Sequence, residues 1–144
     1  MINIISLYYL YVNLFFKIIQ KIFTIKVFEK NKNITLIIKA IKDKKGIKIT
    51  LINLDKIINS PCCFFIICTA NSKTHINAIA NNIKKVLSDI SHQDEGAMSN
   101  WRLLDYMNIV VHILTTESRS FYRLEELWND GLIKHLDDIN DNLF

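Results

Sequence analysis

At 144 residues, half of them hydrophobic, the chain is long enough for one domain with a real core beside an N-terminal extension. The net charge of +4 hides an asymmetry, because residues 1–50 hold ten lysines against two acids, whereas residues 51–144 hold eight basic residues against twelve acids. The folded part is therefore mildly acidic, which argues against a nucleic-acid footprint on the domain and suits a basic protein partner. The Lys-rich N-terminal part could touch RNA, or could simply reflect nucleotide bias in the gene.

Residues 2–16 carry no charge and include Leu7, Tyr8, Tyr9, Leu10, Tyr11, Val12, Leu14, Phe15 and Phe16. The run is still about five residues short of the ~20 that span a bilayer, and Asn3, Ser6 and Asn13 interrupt it. No basic segment precedes it and no small-residue cleavage site follows. Residues 1–32 are read as an extension outside the domain, either a loosely held helix or translation from an upstream start. A peripheral membrane contact is the alternative, with Lys17, Lys21 and Lys26 beside Phe16, Ile19 and Phe23.

From Asn33 the pattern settles into a domain expected over residues 33–136. Ile34, Ile37, Ile38 and Ile41 sit at helical spacing, and Lys44-Lys45-Gly46 ends that helix. Ile47 to Leu54 alternates with period two and reads as a half-buried strand. Pro61 breaks the chain before Cys62 to Ala70, a continuous apolar run that suits a strand buried on both faces. Its three cysteines, Cys62, Cys63 and Cys68, cannot all pair and lack CxxC spacing, so small thiols in a reducing cytoplasm are expected in place of a redox or zinc site.

Asn71-Ser72 offers an N-cap for the clearest helix, where Ile76, Ile79, Ile83, Val86 and Ile90 recur at steps of three and four and Asn77, Asn81, Lys84 and Lys85 lie opposite. Ser91 to Asn100 reads as a polar connection. Trp101 to Tyr106 and Ile109 to Leu114 then form a hairpin turning at Met107-Asn108, where Asn can take a left-handed backbone. With Tyr106 opposite Ile109, one face carries Arg102, Leu104, Tyr106, Ile109, Val111 and Ile113. The other carries Trp101, Leu103, Asp105, Val110, His112 and Leu114. Thr115 or Thr116 caps a last helix, on which Phe121, Leu124, Leu127 and Trp128 share a stripe. Residues 137–144 make an acidic tail. Four strands with helices between and after them imply an α/β fold with a small mixed sheet, in which the passage from Cys62 through Leu104 is a crossover if its strands are parallel.

The string Trp101-Arg102-Leu103-Leu104-Asp105-Tyr106, the strand Ile109 to His112, and Glu117-x-Arg119-x-Phe121-Tyr122-x-Leu124-Glu125-x-Leu127-Trp128 closely resemble the ribosomal silencing factor, or Iojap-like, family. Asn59-x-Pro61 with the strand to Cys68, Ser72-x-x-His75-x-x-Ala78-Ile79-Ala80 and Glu95-Gly96 extend the resemblance over about residues 33–136. Departures are Cys63 in place of the usual Asp, Phe64 for Tyr, Ala70 for Gly, and Met107-Asn108 for Gly-Asp or Gly-Asn, a loss of Gly expected to strain the hairpin.

The resemblance implies a nucleotidyltransferase-like fold without catalytic residues. The residues agree, since there is no Asp-x-Asp pair to hold divalent metal, no Gly-Ser opening and no phosphate-binding loop. A Cys nucleophile paired with His75 or His112 is disfavoured because an apolar strand raises the thiol pKa. His112 shares a face with Asp105 and is expected to bond to it as a structural pair. Trp101 reads either as core filling or as a binding anchor beside Arg102 and Asp105.

By the resemblance, the protein is a cytoplasmic, non-enzymatic translational repressor with no metal, cofactor or small-molecule substrate. It would bind the large ribosomal subunit through that subunit's fourteenth ribosomal protein and sterically block joining of the small subunit. The contact residues carried over are Trp101, Arg102, Leu104, Asp105 and Tyr106, with His75 and His112. A homodimer stays open, as do two other classes, a membrane-tethered interaction module and an enzyme acting on nucleotides.

Overall fold

A computed structural model describes residues 3–136, and the acidic tail expected at 137–144 lies outside them. The chain forms two compact units that divide between Thr35 and Leu36. In the first, helix α1 (Ile4–Lys30) presents exposed Tyr8, Tyr9, Leu10 and Tyr11, with Tyr11 stacked on Phe15 at 6.3 Å. No helix among the described residues is long and apolar enough to cross a membrane.

The chain continues through α2 (Lys32–Asp43), β1 (Ile47–Asn53), β2 (Phe64–Ala70), α3 (Lys73–Val86), β3 (Gln93–Glu95), β4 (Trp101–Asp105) and β5 (Ile109–Thr115). It ends in α4 (Thr116–Tyr122), α5 (Leu124–Leu127) and β6 (Leu132–His135). The stripe Ile34, Ile37, Ile38 and Ile41 is buried, as its spacing requires. Ser72 caps α3 by accepting the His75 N–H, and Thr115 caps α4 by accepting the Ser118 N–H.

The six strands form one mixed sheet in the order β3-β4-β5-β2-β1-β6. β2 runs parallel to β5 and every other pair is antiparallel. Every residue of β2 and β5 is buried, because α3 packs on one face of these strands and α4 with Leu124 on the other. The crossover from β2 therefore reaches β5 as its parallel neighbour, and β4 hairpins onto the far side of it. Two strands beyond the expected four are present. β3 lies in the stretch read as a polar connection, where three exposed polar residues carry no alternation to detect, and β6 pairs with β1 at the other edge.

The hairpin register pairs Asp105 with Val110 and closes with the Tyr106 N–H donating to the Ile109 carbonyl, as the sequence predicts. Its turn differs, because the left-handed residue is Met107, at φ 68°, and not Asn108. The Asn108 N–H donates to the Tyr106 carbonyl at 2.9 Å, which with a positive φ between them is the geometry of a γ-turn. A side chain at this φ is strained, and Asp105 Oδ1 offsets part of the strain by accepting the Met107 N–H at 2.8 Å.

The single C-terminal helix expected through Trp128 is instead broken at Arg123, whose backbone is left-handed at φ 47°. The break divides the expected apolar stripe. Leu124 turns into the core, while Phe121 and Leu127 are 78% and 70% exposed.

Candidate partner-binding face

The two faces of the β4–β5 hairpin do different things. On one face an aromatic row runs from core to solvent. Trp128 meets Phe65 edge-on at 5.5 Å, Phe65 meets His112 at 4.7 Å, and Trp101 lies tilted over His112 at 5.7 Å. Tyr122 then sits 4.6 Å from Trp101 and Phe121 5.0 Å from Tyr122, so the row ends in solvent on α4. Trp101 is half-buried against the core cluster that includes Leu114 and Val110, which joins the two readings of it: part of it packs and part is exposed. Its position is fixed closely. The Trp101 indole N–H donates to His112 Nδ1 at 3.2 Å, Ser99 Oγ donates to the Trp101 carbonyl at 2.6 Å, and a Cβ on Gly96 would come within 2.2 Å of that carbonyl. Gly96, at φ 83°, is thus required twice, by its backbone angle and by the close approach of Trp101.

On the opposite face Arg102 is buried and spends its guanidinium internally. Its Nε and Nη2 grip Asp94 at 2.9 and 2.7 Å, and Nη1 donates to Asn77 Oδ1 at 2.8 Å. Lys84 joins the same carboxylate at 2.7 Å, so edge strand β3 is pinned to α3 and β4 by one ion cluster. These two cations hold the Asp94 carboxyl well below the usual carboxylate range. Leu104 and Tyr106 are also buried on this face, Tyr106 beside His92 at 5.2 Å. Burial pushes the Tyr106 phenol up to about 12.

Of the seven residues singled out in the sequence, therefore, Trp101 and Asp105 lie partly exposed along one face, and His75 lies partly exposed elsewhere. Arg102, Leu104, Tyr106 and His112 are buried. His75 is occupied at a helix junction: Nδ1 accepts the Asn71 N–H at 2.9 Å, which leaves Nε2 to donate to the Lys44 carbonyl at 2.6 Å.

The expected His112–Asp105 bond is not formed. The register puts Leu103 opposite His112, the imidazole takes the Trp101 indole, and Asp105 turns to the Met107 N–H. Because Nδ1 accepts, Nε2 holds the proton, and it has no hydrogen-bond partner among the described residues. Burial pushes the His112 pKa down to about 4. A folded pKa below the unfolded value near 6.5 means that stability is fully present above that value and declines as pH falls from about 6.5 toward 4. Unfolding in urea should show a loss of about 2 kcal/mol between pH 7 and pH 5 that shrinks in His112→Asn. An unchanged pH dependence in that variant would mean that other groups cause the acid sensitivity.

No group of His, Cys, Asp or Glu suited to a metal occurs among the described residues. Burial pushes the Cys68 thiol up to about 12 and Cys62 to about 11, the behaviour of inert packed thiols. Fold and site thus define a small mixed α/β domain with a rigid, hairpin-borne aromatic face.

A family model described as "Ribosomal silencing factor during starvation" matches residues 28–143, and the chain belongs to this family. It is 32% identical over 108 residues to the ribosomal silencing factor RsfS of Halalkalibacterium halodurans, covering 72% of this chain and 92% of that one. It is 39% identical over 72 residues to the chloroplastic protein Iojap of Zea mays, covering 47% of this chain and 31% of that one. A crystal structure from Chromobacterium violaceum superposes with a TM-score of 0.65 at 25% identity, covering 78% of this chain and 94% of that chain.

Proposed function

We propose that this protein is a cytoplasmic translational repressor that binds the large ribosomal subunit through its fourteenth ribosomal protein and sterically blocks joining of the small subunit. The family match over residues 28–143 supports the class of action, and the half-exposed, closely fixed Trp101 supports the place. A rigid aromatic whose rotamer is already set loses little entropy on docking, which is why such side chains dominate binding energetics. Tyr122 and Phe121 extend its apolar surface, and Asp105 supplies negative charge for a basic partner. Arg102, Leu104, Tyr106 and His112 act from beneath by holding β4 in place.

In this reading the protein performs no catalysis and uses no cofactor. Residues 33–136 carry the binding, and the apolar extension at 1–32 is dispensable for it. The test is sedimentation with separated ribosomal subunits. The protein should travel with large subunits and not with small ones, and travel with small subunits, or with neither, would refute the proposal.

A further inference from the structure

Away from the aromatic face, a cavity of about 630 Å³ is lined by Lys48, Thr116, Arg119, Ser120, Arg123 and the glutamates 125 and 126, among others. Its volume falls in the range of small-molecule sites, and its lining brings cations, glutamates and hydroxyls together. The cavity opens near the carboxyl ends of the parallel strands β2 and β5, at Thr69 in β2 and at Thr116, the first residue after β5, and crevices at the carboxyl ends of parallel strands are where open α/β sheets bind ligands.

Arg119 anchors its floor. All five of its N–H groups are used: Nε and Nη2 donate to Glu125, Nη1 to the Lys48 carbonyl and Thr69 Oγ1, and Nη2 also to Thr50 Oγ1. Glu125 is thereby neutralised and held. Around this pair stand two further cations. The Lys48 ammonium has no ion-pair or hydrogen-bond partner among the described residues, and Arg123 meets Glu126 only in an exposed contact at 3.3 Å that solvent weakens. Both residues are held in left-handed backbone, at φ 50° and 47°, so a local cost keeps the two bases at the rim. The Lys48 carbonyl is at the same time tied to Arg119.

We infer that this cavity binds a small phosphorylated metabolite, its phosphate oxygens accepting from Lys48, Arg123, Thr116 and Ser120 over the Arg119–Glu125 floor. Arg123 would exchange a solvent-weakened contact with Glu126 for a charge-assisted bond to phosphate. Lys48 would gain a partner that none of the described residues provides. A guanidinium fork and an ammonium beside two hydroxyls match the several oxygens of a phosphate better than the single edge of a carboxylate.

The experiment is calorimetric titration of the full-length protein with inorganic pyrophosphate at physiological salt. Lys48→Asn and Arg123→Asn are the test variants, because Asn tolerates left-handed backbone and should leave the fold intact, as circular dichroism will check. Lys39→Gln, at a lysine paired with Asp43 on α2, is the control for general charge. Saturable binding by wild type and control, weakened about tenfold in each rim variant, is the expected result, since loss of one charge-assisted bond is worth about that factor. Absence of saturable binding at millimolar pyrophosphate, or equal binding by all four proteins, would overturn the inference. A single-stranded RNA decamer that binds more tightly than pyrophosphate, and loses affinity in the same rim variants, would overturn it in favour of a nucleic-acid contact.

Discussion

Trp101→Ala should yield a folded protein that cosediments poorly with large ribosomal subunits and no longer represses translation in a reconstituted system. A standard interface buries roughly 1,600 Å² in total, and one central aromatic within it contributes about 2 kcal/mol or more, some thirtyfold in affinity. The substitution also removes half-buried packing and orphans His112 Nδ1, so some loss of stability is expected from the core side. Phe121→Ala separates the two effects. Phe121 is 78% exposed and, among the described residues, makes an aromatic contact with Tyr122 alone, so removing its ring should leave unfolding nearly unchanged while still weakening cosedimentation. If Trp101→Ala unfolds the domain and Phe121→Ala binds normally, the contact surface lies elsewhere.

Arg119→Met should be the most destabilising single change outside the apolar core. The substitution keeps most of the side-chain volume but deletes five hydrogen bonds. It leaves Glu125, Thr50, Thr69 and the Lys48 carbonyl without the group that ties α4 and α5 to β1 and β2. The side chains of Arg119 and Glu125 are only 14% and 22% exposed, so the abandoned carboxylate is poorly rehydrated, and a loss of about 3 kcal/mol is expected. Urea unfolding should show a midpoint lowered by about 1–3 M, given slopes of ~1–3 kcal/mol/M for small domains. The double variant Arg119→Met/Glu125→Gln should recover part of this loss, because the uncompensated charge is gone. A single variant as stable as wild type would show that the network is ornamental.

That Arg119 plays this part was not legible in the sequence, although the residue stands within the string that carries the family resemblance. Its partners Lys48, Thr50 and Thr69 lie about 50–70 positions away, and no periodicity reports a side chain that crosses from a helix to three strand positions. The elements with strong periodic signals were legible: the Ile stripes of α2 and α3, the Ser72 cap, the continuous apolar run of β2 and the register of the hairpin. The short edge strands β3 and β6 were not, since they are set by pairing to neighbours and not by their own residues.

At the aromatic face, the alternation rule separated Trp101 and His112 from Arg102, Leu104 and Tyr106 correctly. The resemblance carried Arg102, Leu104, Tyr106 and His112 over as contact residues, and alternation, which gives the face of a side chain but not its depth, did not show that they are buried. Likewise Asp105 and His112 share a face, but the nearest acceptor for the Trp101 indole decided which bond formed. The helix break at Arg123 carried no Gly or Pro to announce it, and after it Leu124 is buried while Phe121 before it is exposed.

Subunit association followed by light scattering tests the central claim most directly, because it reads the block itself and not binding alone. Purified large and small subunits mixed at associating magnesium concentration should give less scattering as the protein is added. Its effect should saturate near one copy per large subunit, and Trp101→Ala should be far less effective. Undiminished association at saturating protein that is shown to be bound to large subunits would contradict the steric account, even with the binding intact.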